Sequence, residues 1–228
     1  MLSFTSLDTL LYSPRMDLAQ LETSSLKADH LACVRSDIEL FRDLSFELLP
    51  GQLVQIEGAN GCGKTSLIRI LCGLSRPAEG TVLWKNNEIE HCRGEYYADM
   101  AYVGHQNGLK GNLTCEENLQ VSSIHNRFKK DVDIETILEQ MGLAELIDEY
   151  AGKLSAGQQR RVALSRLLLT DAPLWILDEP FTALDHASRE RMEGIFDTHC
   201  QAGGMVILTT HHHMTIPNTE VKLLKIDS

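Results

Sequence analysis

The segment GANGCGKT, Gly58 to Thr65, restricts the folds open to this chain more than any other stretch. It fits G-x-x-x-x-G-K-[ST] and lies between an apolar run, QLVQIE, and a stretch with helical spacing, SLIRILCGL. Such a loop works where a strand delivers the chain to the N-terminus of a helix. Its glycines let backbone N–H groups turn toward a polyphosphate, and the helix end adds partial positive charge. In this reading Gly58, Ala59, Asn60, Gly61, Cys62, Gly63 and Ser66 surround the phosphates. Lys64 reaches the β- and γ-phosphates, and the Thr65 hydroxyl ligates Mg²⁺. Cys62 needs no redox role, because a small residue suffices there. A chance glycine-rich turn is the competing reading, and the strand and helix patterns on either side argue against it.

The remaining pattern supplies the strands that such a loop needs. HLACVR, IELFRDLSFELL, GTVLWKN and MAYVGHQ read as strands, and Pro50-Gly51 makes a tight turn before QLVQIE. From Cys115 to Thr170 the period turns helical, and Gly142 is expected to end a helix there. PLWILDEP, MVILTTHH and VKLLKID then return to strand character, with a helix after the first. Strands alternating with helices predict an α/β domain with a mainly parallel sheet. The first 25 or so residues show no strong period and are broken by Ser13-Pro14, so residues 1–25 are expected to be an extension.

Composition removes several classes. A net charge of −11 argues against a general nucleic-acid binder, which needs a basic surface. The six cysteines are scattered without a C-x-x-C pair, as in a reduced chain rather than a disulfide or zinc framework. The longest apolar runs, such as LWIL, are far short of the roughly 20 residues that span a bilayer. No basic, apolar signal peptide opens the sequence, so any membrane role is expected to come through a partner.

Further polar residues fall where strands end, on the side of a parallel sheet where ligands gather. Asp178, after LWIL, is placed to hold Mg²⁺ through water, and Glu179 to polarise an attacking water. Gln106 ends MAYVGHQ as a second candidate for Mg²⁺ or water, and His211 ends MVILTTH as a donor to the γ-phosphate. Adjacent strand residues point to opposite faces, so His211, His212 and His213 are not expected to converge on a metal; His212 and His213 read as loop residues. Arg160 and Arg161 read as a solvated or interface helix face.

A last motif, LSAGQQRRVAL from Leu154, opens a second helix whose N-terminus could also receive an anion. With it, the chain from about Leu31 onward resembles the nucleotide-binding subunits of ABC transporters. GANGCGKT matches the phosphate loop, Gln106 the Q-loop, LSAGQ the signature, LWILDE the Walker B strand, ALD at Ala183 the D-loop, and His211 the switch histidine. The resemblance implies a P-loop NTPase fold of ABC type. A mainly parallel core sheet, an N-terminal antiparallel β subdomain and an inserted helical subdomain at about 107–170 would make up a domain over 26–228. It also implies ATP and Mg²⁺ as cofactors, and a head-to-tail homodimer. There Ser155, Gly157, Gln158 and Asp185 would serve a nucleotide held on the partner's phosphate loop. The aromatic that stacks on adenine in the family falls near Arg35, which can stack only through its guanidinium plane.

Within the family, LSAGQQRRVAL, YVGHQNGLKGNLTCEENL, GLSRPAEGTVLW and PLWILDEPFTALD are similar to the cytochrome c maturation ATPases of haem-exporter type. That likeness implies an integral-membrane permease docked between Gln106 and Leu154, indirect dealings with haem-handling maturation proteins, and a peripheral place on the cytoplasmic face of the bacterial inner membrane. It leaves open whether haem is translocated or a haem chaperone is released. Direct haem binding is not expected, since the sequence lacks C-x-x-C-H. The alternative is a soluble ABC-type assembly ATPase, like that of iron–sulfur cluster assembly.

Overall fold

The computed structural model describes residues 25–123, 132–212, 214 and 216–226. Its centre is a sheet in the order β6-β7-β8-β3-β9, parallel at every pairing. The strands are β3 (Gln52–Glu57), β6 (Met100–Val103), β7 (Leu174–Leu177), β8 (Met205–Thr209) and β9 (Glu220–Lys225). Every residue of β7 and β8 is buried, as expected of strands covered on both faces.

Alternation along these strands sends side chains into two cores. Trp175, Leu177, Val206 and Leu208 enter one, together with α3 (Cys115–Ser123), α4 (Ile134–Gln140), α5 (Ala156–Ser165) and α6 (His186–Gln201). Leu174, Ile176, Met205 and Ile207 enter the other, with α1 (Lys64–Leu71), α2 (Arg93–Asp99) and a second sheet. The helix that follows GANGCG and the helix that follows LSAGQ therefore lie on opposite faces of the central sheet.

The second sheet is antiparallel, in the order β2-β1-β4-β5, from β1 (Leu26–Arg35), β2 (Ile38–Leu48), β4 (Glu79–Trp84) and β5 (Asn87–Glu88). Ser36 and Asp37, both at positive φ, turn β1 into β2 in a two-residue hairpin. Gly51, at φ 83, follows Pro50 in the expected turn, and the Gln52 N–H closes it on the Leu49 carbonyl at 3.1 Å.

Between β6 and β7 the chain inserts α3, α4 and α5. Asp133 caps α4 by accepting from the Glu135 and Thr136 N–H groups. Gly142 ends it, as the sequence predicts: at φ 65, the Leu143 N–H reaches the Leu138 carbonyl and the Gly142 N–H that of Glu139. Two strands stop earlier than their apolar runs suggest. β6 ends at Val103, three residues before Gln106, and β8 ends at Thr209, two before His211. The Thr210 hydroxyl accepts the His212 N–H at 3.0 Å, a side-chain turn that competes with the ladder.

Candidate functional site

β3 delivers the chain into GANGCG, and two of the loop's three glycines, Gly58 and Gly63, have no room for a side chain. A Cβ on Gly58 would lie 2.5 Å from the Cys62 sulfur and 2.8 Å from the Ile226 carbonyl oxygen. Gly63, at φ 110, is the N-cap of α1; a Cβ there would press on Leu40 and Phe41 at 3.1–3.2 Å. Because glycine makes no side-chain cap, the N–H groups of the first turn have no side-chain acceptor at the cap position. Lys64 is 7% exposed, and its ammonium donates to the carbonyls of Gly58 and Ala59 at 2.8 and 3.0 Å. Cys62 is buried, Thr65 is exposed beside Lys64, and Ser66 is half-buried. Backbone donors, a helix end and an ammonium around a loop whose Gly58 and Gly63 leave no room for a Cβ fit a polyphosphate.

Two strands away, β7 ends in the acidic pair. Asp178 is 2% exposed, and its Oδ1 accepts from the Thr209 hydroxyl at 2.8 Å. The same Thr209 oxygen accepts the Glu179 N–H at 2.8 Å, so one hydroxyl ties β8 to both acids. Glu179 sits at φ 48, a region that residues with a Cβ seldom occupy. Its Oε1 lies 3.7 Å from His211 Nε2, and the Thr182 hydroxyl donates to Oε2 at 3.3 Å. Glu179, Thr182, Arg189 and His211 line one cavity of about 340 Å³. Carboxylate and imidazole thus face a shared open cleft. Asp178 and Thr65 offer hard oxygen ligands of the kind Mg²⁺ takes, one or two from protein with the rest from phosphate and water. Among the described residues no three His, Cys, Asp or Glu form a metal cage by themselves.

The arginines after the signature-like segment differ from the solvated face read from the sequence. Arg160 is 3% exposed, and its guanidinium points inward to backbone carbonyls. Arg161 donates to the Met141 and Gly142 carbonyls, tying α5 to the end of α4. The reason is helical geometry: Arg160 lies one turn from the buried Ala163 and Leu164, on the face turned to the sheet. Burial pushes the Arg160 pKa down, and the Asp178 and Glu179 carboxylates pull it back.

Ser155 caps α5: its hydroxyl accepts from the Gln158 N–H at 3.3 Å, and Gln158 Oε1 accepts from the Ser155 N–H at 2.8 Å. A Cβ on Gly157 would lie 2.6 Å from the Ala183 carbonyl oxygen, so glycine is required by close backbone approach within the chain. Asp185 caps α6 on Ser188, and those hydrogen bonds hold its carboxyl below the usual range. Gln106 is exposed, while its neighbours Gly104, Asn107 and Gly108 are tied to Arg160 and Arg166. Arg35 is exposed at the end of β1, and Phe41 across the hairpin is buried against Gly63. His212 lies in an exposed turn, 3.7 Å from Glu193; His213 is outside the described residues, as is nearly all of the expected 1–25 extension. Sequence reasoning missed Thr209 and Arg160. The helical spacing that buries Arg160 was readable; the strand-end threonine carried no local signal.

The family described as ABC transporter matches residues 41–182. A cytochrome c biogenesis ATP-binding export protein, CcmA, of Mannheimia succiniciproducens is 47% identical over 204 residues, covering 89% of this chain and 94% of the relative. The protein of that name from Methylococcus capsulatus is 48% identical, covering 84% and 93%. Among solved structures, an ABC transporter ATP-binding protein from Pyrococcus furiosus superposes with a TM-score of 0.73 at 22% identity, covering 89% of this chain and 98% of that one. At that identity the likeness speaks for the fold, which has the expected parallel core and antiparallel subdomain.

Proposed function

The chain belongs to the ABC transporter family, within its CcmA-type ATPases, and on that premise we propose that it drives a membrane complex that handles haem for c-type cytochromes. The observation that carries hydrolysis is the acidic step at the end of β7. There buried Asp178 and strained Glu179 share the Thr209 hydroxyl, and Glu179 faces His211. The family alternative, a soluble iron–sulfur assembly ATPase, finds no favour in relatives named for export.

The residues divide the work as follows. The Gly58–Gly63 backbone and Lys64 bind the β- and γ-phosphates of ATP, with Ser66 behind them. Thr65, Asp178 and Gln106 would hold Mg²⁺, whose charge offsets that of the phosphates. Glu179 takes the proton of the attacking water, and His211 hydrogen-bonds the γ-phosphate. Arg35 lies where the base would stack.

Ser155, Gly157, Gln158 and Asp185 act in a head-to-tail homodimer, each chain serving the other's nucleotide. Their supporting fact is placement: α5 packs on the face of the sheet opposite α1. Among the described residues no helix is long and apolar enough to cross a membrane. An integral-membrane permease of haem-exporter type, docked between Gln106 and Leu154, holds the chain on the cytoplasmic face of the bacterial inner membrane. The rest of the haem machinery is reached through it, and the chain itself binds neither haem nor nucleic acid.

Glu179→Gln tests this reading. The amide cannot take the proton from water, so ATP should remain bound and gel filtration should show a persistent dimer. Cells relying on this variant should lose nearly all haem-stainable c-type cytochrome. Hydrolysis at the wild-type rate would overturn the assignment of Glu179, and normal cytochromes the assignment to haem handling.

A further inference from the structure

We propose that Arg160 is a positioning residue through which the signature helix sets the Glu179 carboxylate and the segment carrying Gln106. The proposal rests on the ATPase reading above and adds a coupling element to it.

A guanidinium has five N–H donors in a rigid plane. Arg160 places them on five acceptors. Nε donates to the Pro180 carbonyl at 3.1 Å, and Nη2 to those of Asp178 and Glu179 at 2.9 Å each. Nη1 donates to the Gly104 carbonyl at 2.7 Å and to Asn107 Oδ1 at 3.3 Å. The donor count and the acceptor count match, and four of the five acceptors are main-chain oxygens. This is a strut on backbone. A surface ion pair would engage side-chain carboxylates and tolerate lysine.

What the strut holds is the strained residue. Glu179, at φ 48, is gripped on both sides: its N–H by Thr209 from β8 and its carbonyl by Arg160 from α5. A backbone held in a sparsely populated region persists only where its surroundings over-determine it. Arg160 also reaches the exit of β6, and Arg166 adds bonds from its Nη atoms to the Asn107 and Gly108 carbonyls at 3.0 and 2.9 Å. The exits of β6 and β7, which carry Gln106 and the acidic pair, therefore hang from the signature helix and its end. The N-terminus of that helix is the end that meets the partner's nucleotide in the head-to-tail dimer. Movement of α5 on closure is thereby passed to this chain's own carboxylate, so that one site reports its occupancy to the other.

The test uses the full-length chain with Arg160→Lys and Arg160→Met. Lysine keeps the charge but concentrates its donors on one atom, which cannot span from Gly104 to Pro180. Amide hydrogen exchange should accelerate at residues 178–182 and 104–108 in both variants, with peptides from α1 unchanged. In Arg160→Lys, kcat for ATP should fall about 10- to 100-fold, as misplacement of a reacting group by an ångström does. The Kd of a fluorescent ATP analogue should stay within twofold, because α1 packs on the other face. Unchanged exchange at 178–182 overturns the proposal, as does a Kd that rises in step with the loss of kcat. Should Arg160→Met fail to fold, Arg160→Lys alone decides. A wild-type chain that hydrolyses no ATP would refute the ATPase reading instead, and exchange at 178–182 would still judge the strut.

Discussion

Thr209 is the smallest group on which the acidic station depends, and Thr209→Val removes it with little change of shape. The side chain is fully buried, its hydroxyl donating to Asp178 Oδ1 and accepting the Glu179 N–H, both at 2.8 Å. Valine fills the same space and leaves both partners unpaired. An unsatisfied buried group costs about 1–3 kcal/mol, and a charged one more. Two such groups should together cost roughly 3–5 kcal/mol. For a chain of this size each kcal/mol lowers Tm by about 2–4 °C, so a fall on the order of 10 °C is expected. Thr209→Ser keeps both bonds and loses one methyl, about 1 kcal/mol. Thermal denaturation of both variants beside the wild type, followed by circular dichroism, measures the difference. Hydrolysis should fall in the valine variant and survive in the serine variant. If valine and serine proteins melt within about 2 °C of each other, the hydroxyl does not bridge the two acids.

Two further changes separate binding from turnover. Lys64→Ala removes the buried ammonium that donates to the Gly58 and Ala59 carbonyls, and ATP affinity should fall about 10- to 100-fold, as for a lost hydrogen bond to a charged group; unchanged affinity in a titration would sink the phosphate-loop assignment. Ser155→Arg should abolish hydrolysis while dilute chain binds ATP within about threefold of wild type, since the monomer's own loop supplies the first contacts. A loss of binding as severe as that of Lys64→Ala would mean that both cradles serve one nucleotide within a chain.

What the sequence discloses and what it hides divide along chain locality. GANGCGKT is legible because eight consecutive residues encode the loop, although the contacts that require Gly58 and Gly63 come partly from outside it, from Ile226, Leu40 and Phe41. The parallel sheet is legible because β7 is apolar throughout and β8 is apolar up to its last residue, Thr209, with every position of both strands buried. Strand ends are not, because Thr209 and Thr210 end β8 through side-chain bonds that a run of apolar residues does not announce. Arg160 lies between these cases. Its place one turn before Ala163 and Leu164 put it on the buried face, but arginine is so rarely buried that residue type outweighed spacing.

The same division explains why motif residues alone do not define the catalytic geometry. Asp178 and Glu179 are adjacent in sequence, yet their arrangement depends on Thr209, some 30 residues later, and on Arg160, some 20 residues earlier. The two cradles stand on opposite faces of one sheet, and the arginine that follows the second is bonded to the acids that follow the first. On the head-to-tail arrangement proposed above, the second cradle serves another chain's nucleotide, and the position of α5, with it the backbone of Glu179, would then depend on what the partner holds.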